Sequence, residues 1–203
     1  MNNHHLYVDL IRHLLSFMQM PKGFVSLLLP CLVPPKTYTE DTTVLKFGEI
    51  ANMIYWPVKG YIRAYKEIMP EEDRMFTKQK TIDISSPGRM AFPINSFINQ
   101  VEADYFLEIT KGSTVIGFSY TSFIALSKQM PEVALLILKM VGLDQNNWLL
   151  KMEMCKVFNW DGYLLFLDHF GMEVTNFIKQ QDIASYIGMS AEELYNTPQI
   201  LDS

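Results

Sequence analysis

From Pro131 the chain reads PEVALLILKMVGLDQNNWLLKMEMCKVF, with no proline after the first residue and a single glycine, Gly142. Proline holds its own φ near the helical value and lacks an N–H that the first helical turn cannot use, so Pro131 suits a helix start. The pattern predicts a helix of roughly 25 residues, or about 38 Å at ~1.5 Å per residue. Val133, Leu136, Ile137, Met140, Leu143, Leu150 and Met154 give it more apolar surface than a solvated helix carries. They pack either on the chain's own domain or on a second copy. A helix this long finds too little cover in one small domain, so a homodimer through residues 131–157 is expected.

The rest of the chain must then supply a core. With 203 residues, 49% hydrophobic and 19% charged, it has the apolar mass to do so. Its formal net charge of −5 is a poor overall match to a polyanion. Cys31 and Cys155 form no CxxC pair and are read as reduced core thiols of a cytoplasmic protein. The N-terminal MNNHHLYVDLIRHLLSF places Asp9, Arg12 and His13 inside its apolar stretch, unlike a signal peptide. No segment reaches the ~18 apolar residues of a membrane span, so no membrane partner is expected.

Leu6, Leu10, Leu14, Phe17 and Met18 recur at helical spacing over residues 5–18. A second short helix is expected at about 22–30, stopped by Pro34-Pro35. From about 36 to 125 the texture becomes short runs of Thr, Val, Ile, Tyr and Phe between glycines and prolines. MIYWPVKGYIRAYKEI reads as a hairpin about Lys59-Gly60, and KGSTVIGFSY repeats the pattern with a turn at Lys111-Gly112-Ser113. Strands at this spacing predict a small sandwich or barrel. Arg63, Lys66, Arg74, Lys78 and Lys80, mixed with Glu67, Glu71, Glu72 and Asp73, read as a solvated face.

The segment QQDIASYIGMSAEELYNTPQI, residues 180–200, has the pattern of a helix-turn-helix. Ala184 is the small residue where two helices cross, Gly188 supplies the turn, and Ile183, Ile187, Met189 and Leu194 fall at the internal contacts. Ser190 with Glu193 predicts a capping box at the second helix, and Pro198 is expected to end it after about two turns. The side chains placed to meet DNA are Gln180, Ser190, Ala191, Glu192, Glu193, Tyr195 and Asn196. Glu192 and Glu193 bring acids where phosphate contacts need bases. The scaffold of a DNA reader is present; its reading surface is weakened.

A barrel, a long helix and a helix-turn-helix, in that order, resemble the cyclic-AMP receptor and fumarate-nitrate regulator (Crp/Fnr) family, most closely its branch common in Bacteroidetes. The stretches carrying the resemblance are VLKFGEIANMIYWPVKGYIRAYKE, INSFINQVEADYFLEITKGSTVIGFSYTSFIAL and FIKQQDIASYIGMSAEEL. It covers about residues 5–196 and implies an α+β fold. The expected parts are N-terminal helices, a double-stranded β-roll like that of cyclic-nucleotide-binding domains, a long dimerisation helix and a C-terminal helix-turn-helix. The implied units are a β-roll sensor domain at 1–130, the dimerisation helix at 131–157, and a truncated or degenerate helix-turn-helix domain at 158–203. Relatives that bind a cyclic nucleotide use a glutamate for the ribose and an arginine for the phosphate. Aligned on Phe118-Ser119-Tyr120, those positions hold Pro93 and Ala103, followed by Asp104, so the resemblance does not extend to cyclic-AMP binding.

A different small ligand remains a reading of the same region, with Arg89, Phe92, Asn95, Ser96, Phe97, Asn99 and Gln100 as its candidate pocket. The alternative is that these residues cap helix ends and fill a closed barrel. No HExxH, GxSxG or phosphate-cradling glycine loop occurs, and neither catalysis, a metal nor a cofactor is expected. Two readings stay open. One is a ligand-responsive transcription regulator whose partners are a second copy, DNA and an unidentified small ligand. The other is a dimeric ligand-binding or protein-interaction module that has lost DNA binding.

Overall fold

A computed structural model describes residues 4–69, 77–157 and 160–196; Glu71, Glu72, Asp73, Arg74 and Pro198 lie outside them. The apolar spacing of the N-terminus becomes helix α1 (His4–Phe17), which buries Leu10 and Leu14. Helix α2 (Phe24–Leu28) runs into a 3-10 turn at Leu29–Cys31. Pro34 and Pro35 do not stop that helix; they lie in strand β1 (Leu32–Thr37). This is an edge strand, where a missing N–H costs no ladder bond, and its register against the neighbouring strand slips between Val33 and Lys36.

The remaining strands are β2 (Thr42–Leu45), β3 (Met53–Lys59), β4 (Ile62–Ile68), β5 (Lys78–Ser85), β6 (Phe106–Ile109) and β7 (Thr114–Ser119). They form two antiparallel sheets, ordered β1-β7-β3 and β2-β6-β4-β5. Strands β3 and β4 therefore belong to different sheets, as do β6 and β7. The two expected hairpins are instead corners at which the chain crosses between sheets.

The physical reason lies at the corners themselves. The N–H of Tyr61 donates to Ser113 Oγ at 2.9 Å, and its carbonyl accepts from Thr110 N at 3.2 Å and Thr110 Oγ1 at 2.9 Å. Backbone groups that a hairpin would spend between β3 and β4 are spent between the two corners. Gly60 makes this approach possible: its φ is +78°, and a Cβ there would stand 2.1 Å from Ser113 Oγ.

Helix α3 (Ile94–Asn99) lies between β5 and β6. Strand texture ends at Ser119, whose hydroxyl caps helix α4 (Tyr120–Gln129) by accepting from Ser122 N at 3.1 Å. Pro131 then precedes the long helix α5 (Glu132–Lys156), as the sequence predicts. Helix α6 (Trp160–Phe170), a 3-10 turn at Met172–Asn176, α7 (Gln180–Ile187) and α8 (Ala191–Asn196) complete the chain. This is the expected α+β architecture.

Two apolar clusters hold these parts. The larger joins the roll to α1, α2, α4 and the first half of α5. The second is built from Phe166, Phe170, Val174, Ile178, Ile183 and Leu194 of the C-terminal helices, and it includes Tyr61 and Ile84 from the roll. Fully burying one large apolar side chain contributes roughly 1.5–3 kcal/mol, so the C-terminal helices are packed on the roll rather than tethered to it. Cys31 is half-buried against the larger cluster, but Cys155 is not a core thiol: it is exposed, with its sulfur 3.6 Å from Tyr186 O.

Substituting Gly60→Ala forces a left-handed φ on a residue with a Cβ and drives that Cβ into Ser113. A loss of about 2 kcal/mol or more is expected, read as a lower urea midpoint with an unchanged slope.

Candidate functional site

Helix α5 sorts its apolar residues between two faces. Val133, Leu136, Ile137 and Met154 are buried within the chain, and Met140 and Leu150 are half-buried; the Leu143 side chain lies outside the described set. A different set stays exposed: Leu135, Leu138, Trp148, Leu149 and Met152, with Leu138 at 65% and Trp148 at 62%. Positions 135, 138, 142, 145, 149 and 152 follow alternating steps of three and four, the spacing of a coiled-coil seam. Gly142 and Gln145 occupy its middle. Sequence periodicity alone picked the inward residues, because a helix apolar on two faces has no single stripe.

The helix-turn-helix scaffold forms as expected. Ile183, Ala184, Ile187 and Leu194 are buried, Met189 is half-buried, and Gly188 ends α7 at φ +80°. The capping box is reciprocal: Ser190 N donates to Glu193 Oε2 at 2.7 Å, and Glu193 N donates to Ser190 Oγ at 3.1 Å. Hydrogen bonds from Ser190 hold the Glu193 carboxyl below its usual range. Ser190 is thus committed to the cap, while Gln180, Glu192 and Tyr195 are exposed. The Asn196 side chain lies outside the described set.

What sets this unit against the roll is a charge that the sequence pattern placed in solvent. Arg63, on the outward face of β4, is only 3% exposed. Its Nε donates to Glu108 at 3.1 Å and its Nη2 to Gln79 at 2.5 Å, both on neighbouring strands. Its Nη1 meets Asp182 of α7 as a close ion pair without hydrogen-bond geometry. The guanidinium also lies 4.5 Å over the Tyr65 ring. Burial raises the pKa of Asp182 and of Glu108, and in each case it outweighs the pull of Arg63. Alternation along β4 points Arg63 outward, but α7 covers that face.

Further bonds cross the same junction. Ser185 Oγ accepts from Thr81 N at 3.0 Å, and the Tyr61 hydroxyl donates to Phe170 O at 2.8 Å. Lys151 of α5 donates to Ile82 O at 2.5 Å and stands 4.3 Å over the Tyr186 ring. Lys179, preceding α7, pairs with Asp41 of the roll at 2.9 Å.

The seven residues read as a ligand pocket separate. Phe97 is fully buried between Phe92, Tyr120 and Phe123. Ser96 Oγ accepts from Ala51 N at 2.9 Å and donates to Val101 O at 2.5 Å. Asn95 and Asn99 bond each other on the exposed side of α3, and Gln100, in left-handed conformation, donates to Phe97 O and Ala51 O. Only Arg89 and Phe92 line a cleft, of about 480 Å³, together with His13 and Phe17 of α1, Met140 and Asn147 of α5, and His169 of α6. Arg89 is anchored there by both oxygens of Asp83, at 2.8 and 2.7 Å, and by Ile84 O.

The positions aligned with the cyclic-nucleotide contacts are also engaged. Pro93 precedes α3, Ala103 exchanges backbone bonds with Gly48 and Glu49, and Asp104 pairs with Lys66 at 2.6 Å. None of the three can offer a cation to a cyclic phosphate. Among the described residues, no group of three or more His, Cys, Asp or Glu is arranged to hold a metal ion, and no helix is long and apolar enough to cross a membrane.

Two outcomes follow from these charges. Asp182→Ala leaves Arg63 buried with one carboxylate, and a loss of about 3 kcal/mol in unfolding free energy is expected by urea titration. Burial lowers the pKa of His13 and, with Arg89 nearby, that of His169. A base with a lowered folded pKa binds fewer protons folded than unfolded, so its stabilisation is present above the ordinary 6.5 and fades as pH falls below it. The thermal midpoint should therefore fall between about pH 7.5 and 5.5, and less so in the His13→Gln, His169→Gln double variant.

No family model matches the chain, and no curated protein matches it either. Solved structures do. The c-di-GMP-responsive global regulator CLP of Xanthomonas campestris is 17% identical, with a TM-score of 0.60 over 86% of this chain and 88% of its own. FixK2 of Bradyrhizobium japonicum is 17% identical, with a TM-score of 0.56 over 80% of each chain. A cyclic nucleotide-binding domain from Methylobacillus flagellatus is 12% identical, with a TM-score of 0.57 over 72% of this chain and 80% of its own. A two-sheet roll, a long helix crossing it and a helix-turn-helix packed behind it give this chain the fold of the Crp/Fnr regulators and cyclic-nucleotide-binding domains.

Proposed function

We propose that this protein is a homodimeric, Crp/Fnr-type transcription regulator that senses a small ligand other than cyclic AMP. The observation that carries this reading is the exposed stripe on α5. Leu135, Leu138, Leu149 and Met152 lie outward at seam spacing on the element that joins the roll to the helix-turn-helix. A second copy of the same helix covers that stripe by symmetry, with Gly142 allowing close approach at its centre. The cleft at Arg89 and Phe92 is the proposed ligand site, because its walls come from α1, the loop after β5, α5 and α6. An occupant there touches every unit of the chain.

The acidic face of α8 favours a second reading. Glu192, Glu193 and Tyr195 are exposed, and phosphate contacts supply most non-specific DNA affinity. A dimer that acts through protein contacts would also keep this scaffold.

Sedimentation velocity and DNA anisotropy test both. The parent is expected to sediment as a dimer, and the Leu138→Lys, Leu149→Lys variant as a folded monomer. A monomeric parent would remove the dimer from the proposal. Labelled DNA from the protein's own upstream region, titrated from about 50 mM salt upward, should bind with a steep salt dependence. A folded dimer that leaves anisotropy flat favours the interaction module.

A further inference from the structure

Between Val157 and Asn196, Lys179 is the one Lys or Arg in the sequence. Among the described helices α6, α7 and α8 and the segments joining them, any Lys or Arg presented to a polyanion is this one. Its ammonium stands 2.9 Å from Asp41 Oδ2, in the segment before β2. The other carboxylate oxygen of Asp41 accepts the Lys111 amide at 2.9 Å, so the roll holds the acid in place. Three residues further along α7, Asp182 meets Arg63 of the roll. Each unit thus contributes one acid and one base, and each base pairs with the other unit's acid.

The two pairs differ in burial. The Arg63 side chain is 4% exposed and that of Lys179 is 64% exposed. The buried pair belongs to the packing of α7 on the sheet. The open pair contributes little to holding the units together, since exposed ion pairs stabilise weakly. Its consequence is electrostatic: it cancels the one Lys or Arg charge between Val157 and Asn196. Burial pushes the Asp41 carboxyl up, but the Lys111 amide and the Lys179 ammonium outweigh it and hold it below the usual range. Asp41 raises the pKa of Lys179 in turn. Both partners stay charged through the neutral range.

We infer that Lys179 is a DNA-phosphate contact and that Asp41 of the roll masks it. Moving α7 away from the roll uncovers that charge, which couples the posture of the C-terminal unit to its affinity for DNA. This rests on the reading of that unit as a DNA-binding one.

Asp41→Asn tests the mask with little effect on the fold, because the Asn carbonyl still accepts the Lys111 amide. The parent, Asp41→Asn, Lys179→Gln and the double variant are compared by anisotropy on one labelled duplex of mixed sequence, from about 50 to 200 mM salt. Asp41→Asn is expected to bind more tightly at low salt. One added phosphate contact steepens the slope of log K against log salt by about one, a further loss of about threefold across that range. The gain should vanish in the double variant. If the parent binds and Asp41→Asn changes nothing, or if its gain survives Lys179→Gln, the mask is overturned while DNA binding stands. If none of the four proteins binds at low salt, the mask and the DNA-binding reading fall together.

Discussion

The structure depends on where it puts the guanidinium of Arg63. A cation on the outer face of β4 is stable there only if water or carboxylates surround it, and α7 has removed the water. Glu108 and Gln79 on the flanking strands cannot replace it alone, so Asp182 of α7 completes the set. Removing one partner from such a set costs far more than the set gains by existing. The consequence is specificity of docking. Tyr61 and Ile84 enter the second apolar cluster because α7 is held in this register on the sheet.

That docking makes the roll and the helix-turn-helix parts of one packed body. The sheet-crossing corners carry the coupling further. Tyr61 uses its backbone to lock the 110–113 corner and its hydroxyl to bond Phe170 at the end of α6. Lys151 ties α5 to β5 while lying on the Tyr186 ring of α7. Short, directional bonds thus link all three units. Of these elements, α5 and α6 also wall the cleft at Arg89.

The same geometry accounts for two acids of the C-terminal unit. Asp182 is spent on Arg63, and Glu193 on the cap of α8. Both acids therefore have structural partners, although Glu193 stays exposed and charged at the cap. Glu192 is the exposed acid on α8 without such a role among the bonds described.

Local chemistry determined the elements. Pro131 and the unbroken apolar run after it made α5, Ser190 with Glu193 made the α8 cap, and Gly188 made the turn, because each depends on residues three or four apart. The order of roll, long helix and helix-turn-helix was legible for the same reason. Tertiary structure alone decided which strands pair, since Gly60 permits a hairpin or a corner equally and Ser113, 53 positions away, chooses between them. It also decided the fate of Arg63, of the candidate pocket and of the two faces of α5. Alternation along a strand says which way a side chain points, not what will come to cover it. Phe97 became core, Arg89 a cleft wall and Leu138 an outward stripe because burial is settled by neighbours distant in sequence.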